Sequence, residues 1–177
     1  MILAGSEILQ KVNDGSITIT PFNPKQLNPN SYNFCLGDKI LTYQEKILDP
    51  KKVNKSVLHT IPPEGMVLQP DTLYLAHTWE VMGSKKYVPI IRGRSSIGRL
   101  GIFINITADL IDIGSVNQWT LQLHVVQPVR VYPKMQIGQV TFWEISGDIR
   151  LYDGKYQGSR GPVPSKIHRD FKKNNTK

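Results

Sequence analysis

Glycine and proline interrupt this chain so often that few stretches are long enough for a helix of three turns. Fourteen glycines and twelve prolines stand among 177 residues, many in clusters such as Pro62-Pro63-Glu64-Gly65 and Gly83-Ser84-Lys85-Lys86. The breakers Gly98, Gly101, 112–114 and Pro133 add to these. Between them lie short runs rich in branched and aromatic residues, several alternating apolar with polar, which is the pattern of half-buried strands. Strands are expected at 17–20, 39–43, 66–68, 73–79, 88–92, 102–106, 119–126, 129–132 and 139–145. One short helix is expected near the start, with Ser6 as N-cap, Ile8 and Val12 on one face, and Gly15 just past its end. A single helical turn around 95–99 is the other interruption. The stretch 21–31 reads as loop because its prolines and asparagines offer turns and few ladder donors. The architecture implied is a mostly β sandwich, jelly-roll or barrel, one domain spanning 1–177. Residues 152–177, mixing glycine, proline and basic side chains, read as a mobile flap and tail.

Composition excludes several classes of function. With 40% apolar and 20% charged residues the chain can build a core and is not globally disordered. No apolar run approaches the roughly 20 residues of a membrane span. The opening MILAGSEIL lacks the basic and long apolar regions of a secretory signal. Lone Cys35 rules out an intramolecular disulfide and fits a reducing, cytoplasmic setting. The net charge of +8 raises the question of nucleic acid, but its distribution argues against that. Lys166, Arg169, Lys172, Lys173 and Lys177 against Asp170 leave +4 on a short polar tail, and no basic–aromatic alternation accompanies it. A small polyanion fits the same charge.

The segment richest in chemistry is Arg92-Gly93-Arg94-Ser95-Ser96-Ile97-Gly98-Arg99-Leu100-Gly101, which lies between two expected strands. Its glycines permit close backbone approach, and its hydroxyls, amides and arginines are the parts of a phosphate cradle. The other reading is a glycine turn whose arginines face water. The spacing is that of neither a Walker loop nor a dinucleotide fingerprint.

Further residues join this segment in order: Thr107-Ala108, Ile111-Asp112-x-Gly114, Thr120-Leu121-x-Leu123, Tyr132-Pro133 and Ile137-Gly138-Gln139. The tail contributes Lys155-Tyr156-Gln157-x-x-Arg160-Gly161-Pro162-x-Pro164-Ser165-x-Ile167-His168. Met1-Ile2-Leu3, Pro29-x-Ser31 and Leu36-Gly37 belong to the same pattern. Together they resemble the dCTP deaminase family, within the superfamily shared with trimeric dUTPases, over nearly the whole chain. The resemblance implies a distorted β-barrel or jelly-roll-like subunit in a homotrimer. Sites between subunits would be closed by the C-terminal segment. It implies deamination of dCTP to dUTP and ammonia without zinc, with magnesium accompanying the triphosphate; some relatives also hydrolyse dUTP to dUMP and pyrophosphate. One cysteine could not supply the zinc-deaminase signature in any case.

Carried over by motif, Arg94, Ser95 and Ser96 match the turn that meets triphosphate and active-site water, and Arg99 the arginine beside the base. Ala108 matches the residue whose backbone fixes base and water. Asp112 matches the group that holds the sugar 3′-hydroxyl or, in dUTP-hydrolysing relatives, helps activate water. Tyr152, Lys155 and Tyr156 match lid residues near sugar and phosphates, and Gln139 a polar residue bordering the site. For Ala108 and Asp112 the bland readings are a core alanine and an ordinary turn aspartate.

Gln122 departs from this pattern, standing where the family's Thr-Leu-Glu-Leu has glutamate. Attack on cytosine C4 needs a base to take a proton from water and return protons to N3 and the leaving amine; a carboxylate does this and a carboxamide does not. Asn33 replaces aspartate, Ile113 and Ser115 replace proline and an aromatic residue, and Ser159 replaces a frequent glutamine. The turn between 126 and 129 is also short. An engineer freezing a substrate would change one position, so this scatter favours natural divergence over a designed trap. A dUTP diphosphatase relying on Asp112, and a nucleotide-binding regulator or decoy without turnover, are the alternatives to deamination. His124, two residues beyond Gln122 on one strand face, is a candidate replacement base.

Overall fold

A computed structural model describes residues 1–173; Lys177 and the remaining end of the expected basic tail lie outside the described residues. The chain opens with helix α1 (Gly5–Asn13), strand β1 (Ile17–Thr20), a one-turn helix at Pro24–Gln26, β2 (Leu27–Asn28), β3 (Ser31–Cys35) and β4 (Lys39–Tyr43). It continues through β5 (Ser56–Thr60), β6 (Met66–Leu68), β7 (Tyr74–His77), β8 (Val81–Ser84) and β9 (Tyr87–Gly93) to α2 (Ser95–Gly98). Then follow β10 (Ile102–Phe103), β11 (Thr120–Val125), β12 (Val129–Val131), β13 (Gln136–Glu144) and α3 (His168–Lys173).

The mostly β expectation holds. A five-stranded sheet, ordered β10-β11-β7-β4-β5, faces a four-stranded sheet, β2-β3-β13-β9, through a shared core, with the pairs β1-β8 and β12-β6 completing the ladders. The strand pairs are antiparallel. Hydrogen bonding does not run round a closed barrel among the described residues. Alternation on β11 puts Leu121, Leu123 and Val125 into the core, where they meet Phe34, Ile40, Val140 and Phe142. Among the described residues no helix is long and apolar enough to cross a membrane.

Several elements differ from the sequence expectation for physical reasons. Helix α1 starts at Gly5, not after a Ser6 cap, and its N-cap Ala4 provides no side-chain bond. The start is set by docking instead: the Gly5 N–H donates to Pro29 O at 2.8 Å, and a Cβ at Gly5 would lie 2.2 Å from Asn28 O. Gly15 follows the helix at φ +76° as expected. The stretch read as loop contains β2 and runs into β3, which is buried throughout and therefore shows no alternation. Gly83-Ser84, read as a breaker, lies at the end of β8 and pairs with Thr18 and Ile17. The expected strand 102–106 ends at Phe103.

Gly138 is a test of the packing between the sheets. A Cβ there would sit 2.1 Å from Phe34 Cζ, and Phe34 is wholly buried. The variant Gly138→Ala is therefore expected to lose about 1–3 kcal/mol of stability through overpacking, read as a lower midpoint in urea denaturation.

Candidate active site

Strand β11 also builds the wall of the main cleft. Thr120 and Gln122 occupy the face opposite the core residues, and register sets them beside His77 and Leu75 of β7. Residues 104–112 run past this face, held on one side by β11 and on the other by β9. The Gln122 N–H donates to Ile104 O at 3.0 Å, while Ile91 N–H donates to Asp109 O and Ile111 N–H to Pro89 O. The side chain of Gln122 is held by the same segment: its Oε1 accepts the Ile106 N–H at 3.2 Å.

The third wall is the C-terminal segment, read from sequence as a mobile flap and found laid along residues 113–120. Tyr152 N–H donates to Ile113 O at 2.7 Å, Ser159 N–H to Asn117 Oδ1 at 3.0 Å, and Val163 N–H to Thr120 Oγ1 at 3.1 Å. Gln118 adds its Oε1 as acceptor for Gly161 N–H. Gly114, at φ +93°, makes this approach possible, since a Cβ there would lie 2.9 Å from Tyr152 N.

The cavity so enclosed measures about 540 Å³, and Ala108, Asp112, Gln122, Tyr152 and Tyr156 line it together. That volume is in the range of small-molecule sites. Its walls also include Tyr43, Leu73, Leu75, Gln118 and Trp119, which carry no motif and were not anticipated. The alternation of Leu73 and Leu75 was the one available signal. Asp112 and Tyr152 separate this cavity from a smaller one, of about 320 Å³, that Arg150 and Asp153 border.

The remaining motif residues lie elsewhere in the chain. Arg94, Ser95, Ser96 and Arg99 form the turn of α2, with Ser95, Ser96 and Arg99 exposed, and none of the four lines the cavity. Arg99 donates through Nη1 to Ser95 Oγ. Gln139 is half-buried between β3 and β9 and donates to Asn33 Oδ1 at 3.3 Å. Lys155 stands in the C-terminal segment, paired with Asp170 and 5.9 Å from the Tyr156 ring centroid. His124 shares the Gln122 face but lies against Phe103, ring centroids 6.3 Å apart, and is not part of the cavity wall. Two residues along the strand carry it beyond the wall of the cavity that its own chain forms.

Three buried titratable groups flank these elements. The Glu80 carboxyl accepts the Cys35 N–H at 2.9 Å and a bond from Gln26, yet burial pushes its pKa up. Burial first, and then Glu80, push the Cys35 thiol up to about 12, so it is no nucleophile near neutral pH. His77, opposite Thr120, hydrogen-bonds Thr78 O through Nδ1, while its buried Nε2 has no hydrogen-bond partner.

Comparison with known proteins now decides the family. The sequence model of the dCTP deaminase-like family matches residues 2–145. The chain belongs to the dCTP deaminase-like family. It is 46% identical over 172 residues to the dCTP deaminase, dUMP-forming, of Clostridium acetobutylicum, covering 97% of this chain and 99% of that one. It is 48% identical to the dCTP deaminase of Rhodopirellula baltica over 97% of this chain and 86% of the relative. In fold it is similar to the crystal structure of 2′-deoxycytidine 5′-triphosphate deaminase from Agrobacterium tumefaciens, with a TM-score of 0.64 and 19% identity. That likeness covers 80% of this chain and 47% of the other, so the chain spans about half the length of that solved structure.

In this family member the His77 imidazole is held below its ordinary 6.5 chiefly by burial, opposed by its bond to Thr78 and by Asp38. The folded state thus binds its proton less readily than the unfolded chain. Its contribution to stability is full above pH 6.5 and is lost as pH falls below that value. Wild type should lose urea resistance between about pH 7.5 and about pH 5.5, and His77→Gln should lose less over the same interval. Parallel pH dependence in the two proteins would refute this.

Proposed function

We propose that this chain is a homotrimeric, zinc-independent enzyme acting on pyrimidine deoxynucleoside triphosphates, built on the plan of the dCTP deaminases. The observation that carries the reading is the convergence of Ala108, Asp112, Gln122, Tyr152 and Tyr156 on one cavity. These residues are scattered over 49 positions of sequence between Ala108 and Tyr156, counting both ends, and the family resemblance assigns them to one nucleotide.

In this reading the base lies against Ala108 and Gln122, the sugar against Asp112 and the tyrosines, and the triphosphate reaches Lys155. Magnesium comes with the triphosphate as part of the substrate. The arginine–serine turn completes the site from a neighbouring copy, so Arg94, Ser95, Ser96, Arg99 and Gln139 serve a different cavity from the one their own chain forms. What supports this is the exposure of several large apolar side chains near the turn in sequence: Leu100, Phe103, Ile106, Leu110 and Val126. Exposed apolar side chains in number are the ordinary mark of a contact surface. The whole chain, 1–177, acts as one catalytic domain, with residues 152–177 as lid and tail.

Deamination adds water across the N3–C4 bond of cytosine, oxygen to C4 and a proton to N3, and breaks the C4–N4 bond to expel ammonia, leaving dUTP. In this reading Ala108 and the arginine–serine turn still serve water and phosphate, but Gln122 cannot take the proton. The reaction should therefore run slowly, and the glutamate variant should restore it. A second reading, hydrolysis of dUTP to dUMP and pyrophosphate, is favoured by one observation. Asp112 lies exposed on the cavity wall with its carboxylate available to a water. Binding with neither product would make the chain a nucleotide-binding regulator.

Incubation with dCTP or dUTP and magnesium, followed by ammonia and pyrophosphate, separates the three outcomes. Gln122→Glu is expected to raise ammonia release by about 10²–10⁴-fold. Asp112→Asn should instead suppress pyrophosphate formation. Sedimentation should give three times the chain mass, and Phe103→Asp should lower it, with loss of nucleotide binding.

A further inference from the structure

The Gln122 amide is anchored at one end and unpartnered at the other, which bears on which pyrimidine the cavity takes. Its Oε1 accepts the Ile106 N–H at 3.2 Å. A backbone N–H can only donate, so this bond identifies which end of the amide is oxygen and which is nitrogen. Among the described residues no acceptor pairs with Nε2, although Gln122 lines the cavity. The group presented to a ligand is therefore the amide NH₂, a donor.

We propose that Gln122 makes this cavity select pyrimidine deoxynucleotides with oxygen at C4 (deoxyuridine or thymidine triphosphates) and reject the 4-amino ring of dCTP. The inference rests on the placement of the base against Gln122 argued above. Uracil and thymine offer O4 as an acceptor, which Nε2 satisfies while Oε1 keeps its bond to Ile106. Cytosine offers a 4-amino donor at the same place. Donor would then meet donor. Turning the amide over would relieve that clash but set NH₂ against the Ile106 N–H, leaving the backbone donor unpaired. Either arrangement forfeits one hydrogen bond and desolvates a polar group without return. A glutamate carries no such conflict, because its carboxylate accepts from Ile106 and from an amino group together. The same substitution that removes the proton carrier therefore also changes which base fits.

Isothermal titration of the full-length protein with the α,β-imido analogues of dUTP and dCTP, plus magnesium, tests this without turnover to dUMP. The dUTP analogue is expected to bind at least about tenfold more tightly. In Gln122→Glu the order should reverse or the gap close, since the carboxylate repels O4 and accepts from the amino group. In Gln122→Ala, with neither donor nor acceptor, the two analogues should bind within about twofold of each other. Equal affinities in the wild-type protein, or a preference that Gln122→Ala leaves intact, would overturn the selectivity while keeping the cavity as a nucleotide site. No binding of either analogue to the folded protein would overturn the nucleotide reading itself.

Discussion

Pairing of β11 with β7 ties the late strands β10 and β11 of the five-stranded sheet to its early strands β7, β4 and β5. Its register puts Leu121 and Leu123 into the apolar interior and, because side chains alternate, turns Thr120 and Gln122 outward beside His77 and Leu75. A slip of one residue would exchange the faces, burying a carboxamide and exposing two leucines. The same ladder that closes the core therefore orients the polar wall of the cavity. Burial of Leu121 and Leu123, both wholly excluded from solvent, supplies the free energy that holds Gln122 in place.

Around that wall the chain spends backbone hydrogen bonds in place of side-chain packing. Residues 104–112 hang between β9 and β11, and the C-terminal segment follows residues 113–120, each through main-chain and amide contacts. Ile104, Ile113 and Trp119 anchor these segments by burial, while 105–112 are exposed or half-buried, which suits a wall that must admit a ligand. The rigid polar work is done farther back. Gln26, Asn33 and Glu80 sit in a buried network that also satisfies the Cys35 amide, and Gln139 joins it through Asn33. Glu80 illustrates the tension there: its bonds favour the carboxylate while burial penalises it, and burial is the larger effect.

Much of this was legible in the residues alone, for identifiable reasons. The strands at Lys39–Tyr43 and Met66–Leu68 and the core of β7, β9, β11 and β13 follow from local alternation and apolar runs. Strand β3 is hidden in the sequence because burial on both faces erases the alternation that marks a strand, and β8 because its glycine reads as a stop. The start of α1 was misplaced because docking on Pro29 replaced a side-chain cap. Among the site residues, Ala108, Asp112, Gln122, Tyr152 and Tyr156 were named by motif and found together. Tyr43, Leu73 and Trp119 were not, since a wall residue needs only shape and leaves no spacing to read.

Residue type and order alone determined the mostly β architecture, the membership of the chain in its family, and the loss of a carboxylate at 122. These depend on local periodicity and chemical identity, which are written one position at a time. Tertiary structure alone decided that residues 152–165 lie on the body of the protein, that the arginine–serine turn stands apart from the cavity of its own chain, and that the Gln122 oxygen belongs to Ile106. Those facts depend on which distant backbone groups come within hydrogen-bonding reach, and such distances exist only after the sheets have paired.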